Sequence, residues 1–185
     1  MVKIKICGLT TVSAVDVAVE SGADYIGFVF AKSRREISIT QAQLLARHIP
    51  KTVQIVGVFV NPTREDLEKH IYQVPLDMVQ IHGECHEKVC NDLPVPVIRA
   101  VNNSQIVDNL GQYCLLDSQV PGSGKRFDWE KVHVKNIKKP LFIAGGLTSE
   151  NVKEAITYFS PYAVDVSSSV ETDGKKDLKK IKRFI

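Results

Sequence analysis

At 185 residues, with 44% hydrophobic and 24% charged side chains, the sequence has the composition of one globular domain around one core. No apolar run approaches the ~18 residues of a membrane span, and no long apolar leader precedes a small-residue cleavage site, so a cytoplasmic protein is expected. The net charge of +3 is all tail: residues 175–185 carry six Lys/Arg against one Asp, leaving −2 for residues 1–174, and no base-reading or aromatic residues accompany the tail to suggest nucleic acid or a membrane surface.

Taken in order, β-branched apolar runs alternate with helical patterns. Strands are expected at 2–7, 24–30, 53–60, 77–81, 95–100, 112–117, 140–144 and 162–166. Helices are expected at 11–21, 40–48, 63–73, 84–91, 148–158 and 175–185, with short helices or irregular crossovers at 103–110 and 128–134. In the last helix Leu178, Ile181 and Phe184 or Ile185 form the docking stripe and the lysines its wet side. Thr40 with Gln43 three residues on is a candidate capping box, Gly22 ends the first helix, and Thr148 caps the helix after the seventh strand with Glu150 in its first turn.

Runs such as IGFVF and IVGVFV are apolar on both faces, as parallel strands covered by helices must be. Eight strand–helix units in 185 residues leave about 23 each, so the expected fold is a single compact (β/α)8 TIM barrel over residues 1–185, with short loops and one or two reduced helices. The rival doubly wound sheet would carry G-x-G-x-x-G after its first strand, where this chain has CGLTT.

In a barrel the carboxyl ends of the strands share one mouth. Cys7 ends the first strand and Asp117 follows the sixth, nearly opposite on an eight-stranded ring; there a thiolate and a partly desolvated acid can take one proton and give another across a small substrate. The plainer readings are a buried small hydrophobe and a turn-capping carboxylate. Gly145-Gly146 and Ser167-Ser168-Ser169 follow the last two strands, where bare amides, hydroxyls and a helix start can hold a phosphate; singly, each would merely make a turn. Arg34 and Arg35 lie in the second loop, where a guanidinium can fork onto a carboxylate, and His82 and Asp165 complete the mouth. The glycine-rich stretch 118–129 suits a cover or a plain linker.

The cysteines at 7, 85, 90 and 114 lack a disulfide-framework spacing and are expected as free thiols. HGECHEKVC offers metal-ligand residue types, but its spacing fits no zinc knuckle, and a helix over 84–91 would point Cys85 away from Cys90, so no metal is expected.

The strand-end motifs KIKICGLT (3–10), GADYIGFVF (22–30), SRREIS (33–38), VGVFVN (56–61), VQIHG (79–83), LLDS (115–118), GSGKRFDW (122–129), AGGLTSENV (144–152) and AVDVSSSVE (163–171) resemble, in order and over nearly the whole chain, those of the phosphoribosylanthranilate isomerases of tryptophan biosynthesis. The resemblance implies a cofactor-free aldose–ketose isomerase. Its reaction is the Amadori rearrangement of N-(5-phosphoribosyl)anthranilate to 1-(2-carboxyphenylamino)-1-deoxyribulose 5-phosphate. It implies Cys7 as the base at C2, Asp117 as the acid at the ring oxygen, Arg35 at the anthranilate carboxylate, and the Gly145-Gly146 and Ser167–Ser169 loops as the phosphate clamp. The expected partner is this small phosphorylated substrate, and the expected assembly a monomer or homodimer. Two other functions fit parts of the pattern: a non-catalytic sugar-phosphate-binding barrel, and the related histidine-pathway sugar isomerase, which has an aspartate where Cys7 stands. Ser169 departs from the family's glycine, and a positive φ there would strain it and weaken phosphate binding.

Overall fold

The computed structural model describes residues 1–101, 111–117, Trp129 and 137–185. Eight parallel strands close into a barrel in chain order: β1 Lys3–Cys7, β2 Tyr25–Val29, β3 Gln54–Val60, β4 Met78–His82, β5 Val97–Val101, β6 Tyr113–Leu116, β7 Leu141–Ile143 and β8 Ala163–Val166, with β8 pairing back onto β1. Around them lie the helices α1 Val12–Ser21, α2 Ile39–Ala46, α3 Arg64–Gln73, α4 Glu87–Asn91, α5 Val152–Phe159 and α6 Leu178–Phe184. The expected barrel is the observed one, and α4, at five residues, is a reduced helix. The weak segments 103–110 and 128–134 lie outside the described residues apart from Trp129, which is buried against Phe159 at a ring distance of 5.4 Å.

Each strand feeds two cores because successive side chains point to opposite faces. Outward-facing residues such as Ile6, Ile26, Phe28, Val79 and Ile143 join the helices in one continuous apolar layer. Inward-facing Tyr25, Val56, Met78, Ile98, Leu115, Phe142 and Ala163 fill the barrel. At its amino-terminal end Tyr25, Tyr113 and Tyr162 gather round Phe142 at ring distances of 5.4–5.9 Å, and the hydroxyls of Tyr25 and Tyr162 bond at 3.0 Å. That end is plugged, so chemistry has only the carboxyl end to use.

Local signals hold with two amendments. Gly22 terminates α1 in the left-handed conformation, while α2 starts on Ser38, whose hydroxyl accepts from the Gln41 amide, so Thr40 already lies inside the helix. The Thr148 hydroxyl accepts from the amides of Glu150 and Asn151, but this closes a separate turn, and α5 begins only at Val152 with Glu154 in its first turn. The tail forms the docking helix: Ile181 and Phe184 are buried and α6 packs on α1, whereas Leu178 is exposed. Between β8 and α6 the chain makes a 3₁₀ turn, Ser168–Val170, and a small hairpin of β9 Glu171–Thr172 and β10 Lys175–Lys176 that periodicity did not announce.

Candidate active site

The open end of the barrel holds a cavity of about 820 Å³. Ten of the residues singled out in the sequence line it, Cys7 and Asp117, Arg35, Gly145 and Gly146, Ser167, Ser168 and Ser169, and His82 and Asp165, whereas Arg34 does not. Cys7 reaches it from β1 and Asp117 from the exit of β6, so the two meet the same space from well-separated walls. Gly27 makes room for the thiol, because a Cβ on Gly27 would stand 2.7 Å from the Cys7 Sγ. Residues 118–128 of the glycine-rich stretch lie outside the described residues.

Burial pushes the Cys7 thiol above its ordinary range, against the lowering influence of the Lys5 and Lys176 charges. His82 moves the other way. Burial, with Lys5 and Arg99 nearby, lowers it to about 4, so it is a neutral ring at neutral pH, and its Nε2 lies 2.7 Å from the Gln80 amide nitrogen. The Arg99 guanidinium donates to the carbonyls of Ile81, Gly83 and Ala100 and so ties down the strand ends beside His82.

Arg35 does reach the mouth, but it is already held by a partner the sequence reading missed. Its Nε and Nη2 donate to the two oxygens of Glu171 at 2.6 and 3.1 Å, leaving Nη1 and one Nη2 proton for a substrate carboxylate. Glu171 also accepts from Arg34 Nη2 at 2.6 Å and from Lys176 Nζ at 2.9 Å. Burial works against ionisation of this carboxyl, yet its hydrogen bonds and charge contacts with Arg35 and Lys176 pull it down to about 2. The Arg35 stem lies against Gly8, where a Cβ would meet its Cδ at 2.6 Å, so glycine there leaves room for the arginine. Lys176 completes the link by donating to Ser167 O and Oγ, and Ser167 in turn donates to the Cys7 carbonyl at 3.0 Å. Lys176, read from the sequence as part of a wet face, instead has its side chain buried behind the mouth, against Glu171 and Ser167. The β9–β10 hairpin turns it inward.

The two loops after β7 and β8 close one corner. Gly145 and Gly146 have φ of 78° and 72°, a conformation side chains resist, so glycine is required at both. Ser169 is not in that region, because it sits in the 3₁₀ turn, so the positive φ that would have strained it is not required. Its hydroxyl instead donates to the Leu147 carbonyl and clips the two loops together. The early amides of such a turn lack partners within it and, with the Ser168 hydroxyl, suit a tetrahedral anion, the hydroxyl protons of Ser167 and Ser169 being given to the Cys7 and Leu147 carbonyls.

The thiol reading needs a second correction. Cys7 and Cys114 are free, but Cys85 and Cys90 form a disulfide. The helix begins at Glu87 and not at residue 84, so Cys85 lies in the preceding loop, where no helical face constrains it, and its Cα comes 6.6 Å from that of Cys90.

A closed parallel barrel with a thiol, a carboxyl and two glycine- and serine-rich loops lining the mouth at its carboxyl end has the architecture of a (β/α)8 enzyme. A family model described as N-(5'-phosphoribosyl)anthranilate (PRA) isomerase matches residues 4–185. The N-(5'-phosphoribosyl)anthranilate isomerase of Streptococcus mutans is 57% identical, over 100% of this chain and 97% of its own. The phosphoribosyl anthranilate isomerase of Thermus thermophilus superposes with a TM-score of 0.90 at 30% identity, covering 98% and 96% of the two chains. A further phosphoribosyl anthranilate isomerase, solved in complex with reduced 1-(o-carboxyphenylamino)-1-deoxyribulose 5-phosphate, gives a TM-score of 0.84 at 37% identity over 100% and 96%. The chain belongs to the N-(5'-phosphoribosyl)anthranilate isomerase family.

Proposed function

We propose that this chain, as a single (β/α)8 domain over residues 1–185, rearranges N-(5-phosphoribosyl)anthranilate to 1-(2-carboxyphenylamino)-1-deoxyribulose 5-phosphate. The Asp117 carboxyl donates its proton to the ribose ring oxygen as the bond from C1 to that oxygen breaks. The amine lone pair moves into the carbon–nitrogen bond. The Cys7 thiolate then removes the C2 proton, and the electrons left behind neutralise the iminium to an enamine that tautomerises to the ketone. Arg35, levelled by Glu171, takes the anthranilate carboxylate, and the Gly145-Gly146 and Ser167–Ser169 loops take the phosphate.

The observation that carries this is the opening of Cys7, Asp117, Arg35 and the two loops into one cavity. Among the described residues no helix is long and apolar enough to cross a membrane. We place the enzyme in the cytoplasm as a monomer or homodimer, with a small phosphorylated molecule and no nucleic acid as its partner.

The test is the decay of phosphoribosylanthranilate fluorescence on adding the purified protein. Cys7→Ala and Asp117→Asn should each slow it by ~10²–10⁴-fold with the fold intact. Near-normal turnover in either variant removes that residue from the chemistry, and no decay with the unmodified protein favours a binding barrel.

A further inference from the structure

At the floor of the mouth, where Asp165 meets the cavity and Lys5 lies beneath, is a buried ion pair with no assigned task. Lys5 has no solvent exposure, and its Nζ donates to Asp165 Oδ2 at 3.0 Å. The pairing follows from the sheet, since Lys5 and Asp165 are register partners on β1 and β8. It is not a self-sufficient stabilising element, because Asp165 Oδ1 is buried and meets no hydrogen-bond partner among the described residues. Apolar side chains in such a place commonly hold a fold as well as an incompletely satisfied ion pair does.

Its position suggests what it is for. Lys5 and Cys7 are two residues apart on β1, so the pleat that turns the thiol into the barrel turns the ammonium the same way. Nζ is held by Asp165 on that inner face, and its positive charge acts on the thiol.

We propose that Lys5 is a positioning residue that acts through Cys7: its ammonium, anchored by Asp165, offsets the burial of the thiol and favours the thiolate that takes the substrate's proton. This rests on Cys7 being the base. The charged neighbours of Cys7 are few. Lys5 stands on its own strand, Asp165 on β8 opposes ionisation, and Lys176 assists from β10. On the β2 side the neighbour is Gly27, which carries no charge, and Arg35 lies beyond Gly8 with its charge engaged by Glu171. Asp117 faces from the far wall, and His82 is neutral. Of the neighbours that favour the thiolate, Lys5 has the largest influence.

The experiment is the pH dependence of Cys7 alkylation by iodoacetamide, with the modified peptide identified so that Cys114 is not counted. In Lys5→Met the ionisation of Cys7 should move to higher pH and its alkylation at pH 7 should slow by about tenfold or more, since each pKa unit is a tenfold change in thiolate. The rising limb of kcat/KM against pH should move the same way. Lys5→Met leaves Asp165 buried without its cation, so the double variant Lys5→Met/Asp165→Leu is run beside it. That variant replaces the whole pair with apolar groups, a change buried pairs usually tolerate, and is expected to show a smaller upward shift, because the opposing charge of Asp165 goes with the ammonium. An unchanged or lower thiol pKa in whichever variant folds overturns the proposal. Full activity of Cys7→Ala would instead remove Cys7 as the base, a separate outcome that the alkylation readout does not depend on.

Discussion

Replacing Glu171 with glutamine tests the one buried charge cluster that links the Arg35 loop to the phosphate corner. The carboxyl side chain is 4% exposed and accepts from four donors, two on Arg35 and one each on Arg34 and Lys176. Its pKa falls from an ordinary 4.5 to about 2, which at about 1.4 kcal/mol for each tenfold change amounts to about 3 kcal/mol of stabilisation of the folded chain. Because the folded carboxyl is the stronger acid, that contribution is complete above about pH 4.5 and disappears as the pH falls toward about 2. Glutamine keeps the shape, loses the charge, and turns an amide NH₂ toward donors that need acceptors.

At neutral pH the variant should therefore unfold about 3 kcal/mol more easily, a loss of roughly 6–12 °C in Tm for a chain of this size. Urea denaturation from pH 7 down to pH 3 supplies the control, since the other carboxylates are common to both proteins. The gap between unmodified and variant protein should narrow below about pH 4.5. With Arg35 released, KM for phosphoribosylanthranilate should rise by about tenfold or more and kcat change less, since one charge-assisted contact is worth ~1.5–3 kcal/mol. A stability gap that stays constant across this pH range, or a drop in Tm under about 2 °C at pH 7, would refute the assigned role of the cluster.

Two more outcomes test the mouth. Gly146→Ala places a side chain at φ 72°, so it should cost about 1 kcal/mol or more of stability and raise KM for the phosphorylated substrate; calorimetry and steady-state kinetics check both, and an unchanged KM detaches that loop from the phosphate. The His82 ring should stay neutral until the pH falls to about 4, giving no titration near 6.5 in an imidazole NMR experiment and no break from His82 in kcat/KM between pH 5 and 8; a ring titrating near 6.5 would mean that it is far wetter than its place in the barrel implies.

The barrel was legible because burying a parallel strand on both faces leaves a continuous apolar run, and eight such runs lie within a residue or two of the observed strands. The mouth residues followed from where strands stop. What escaped the sequence were pairings made across the ring. Glu171 reads as a strand-exit acid and Lys176 as part of a basic tail until the hairpin brings both against Arg35, some 136 positions earlier in the chain for Glu171. Cys85 and Cys90 were separated by a helix boundary misplaced by one turn, and Ser38 was passed over for Thr40 because a capping box is also a common accident of composition. Lys5 differs from these. Cys7 was placed on the inner face, and the two-residue period of a strand puts Lys5 there as well, so the signal was present in KIKIC but hidden by the habit of expecting lysines outside.

That lysine also shows how the barrel separates support from chemistry. The aromatic plug of Tyr25, Tyr113, Phe142 and Tyr162 at the amino-terminal end can be packed for density alone, because nothing must enter there. At the open end the residues must meet water and an anion, so glycines, serines and charges displace bulk. The Lys5–Asp165 layer lies where the two demands meet: deep enough for its field to be little screened, and one pleat below the thiol it faces. A charge placed higher would compete with substrate for the cavity, and one placed lower would be separated from Cys7 by apolar side chains. Of the inward positions on β1, only the one two residues before Cys7 satisfies both conditions, and the chain puts there the one lysine that is fully buried among the described residues.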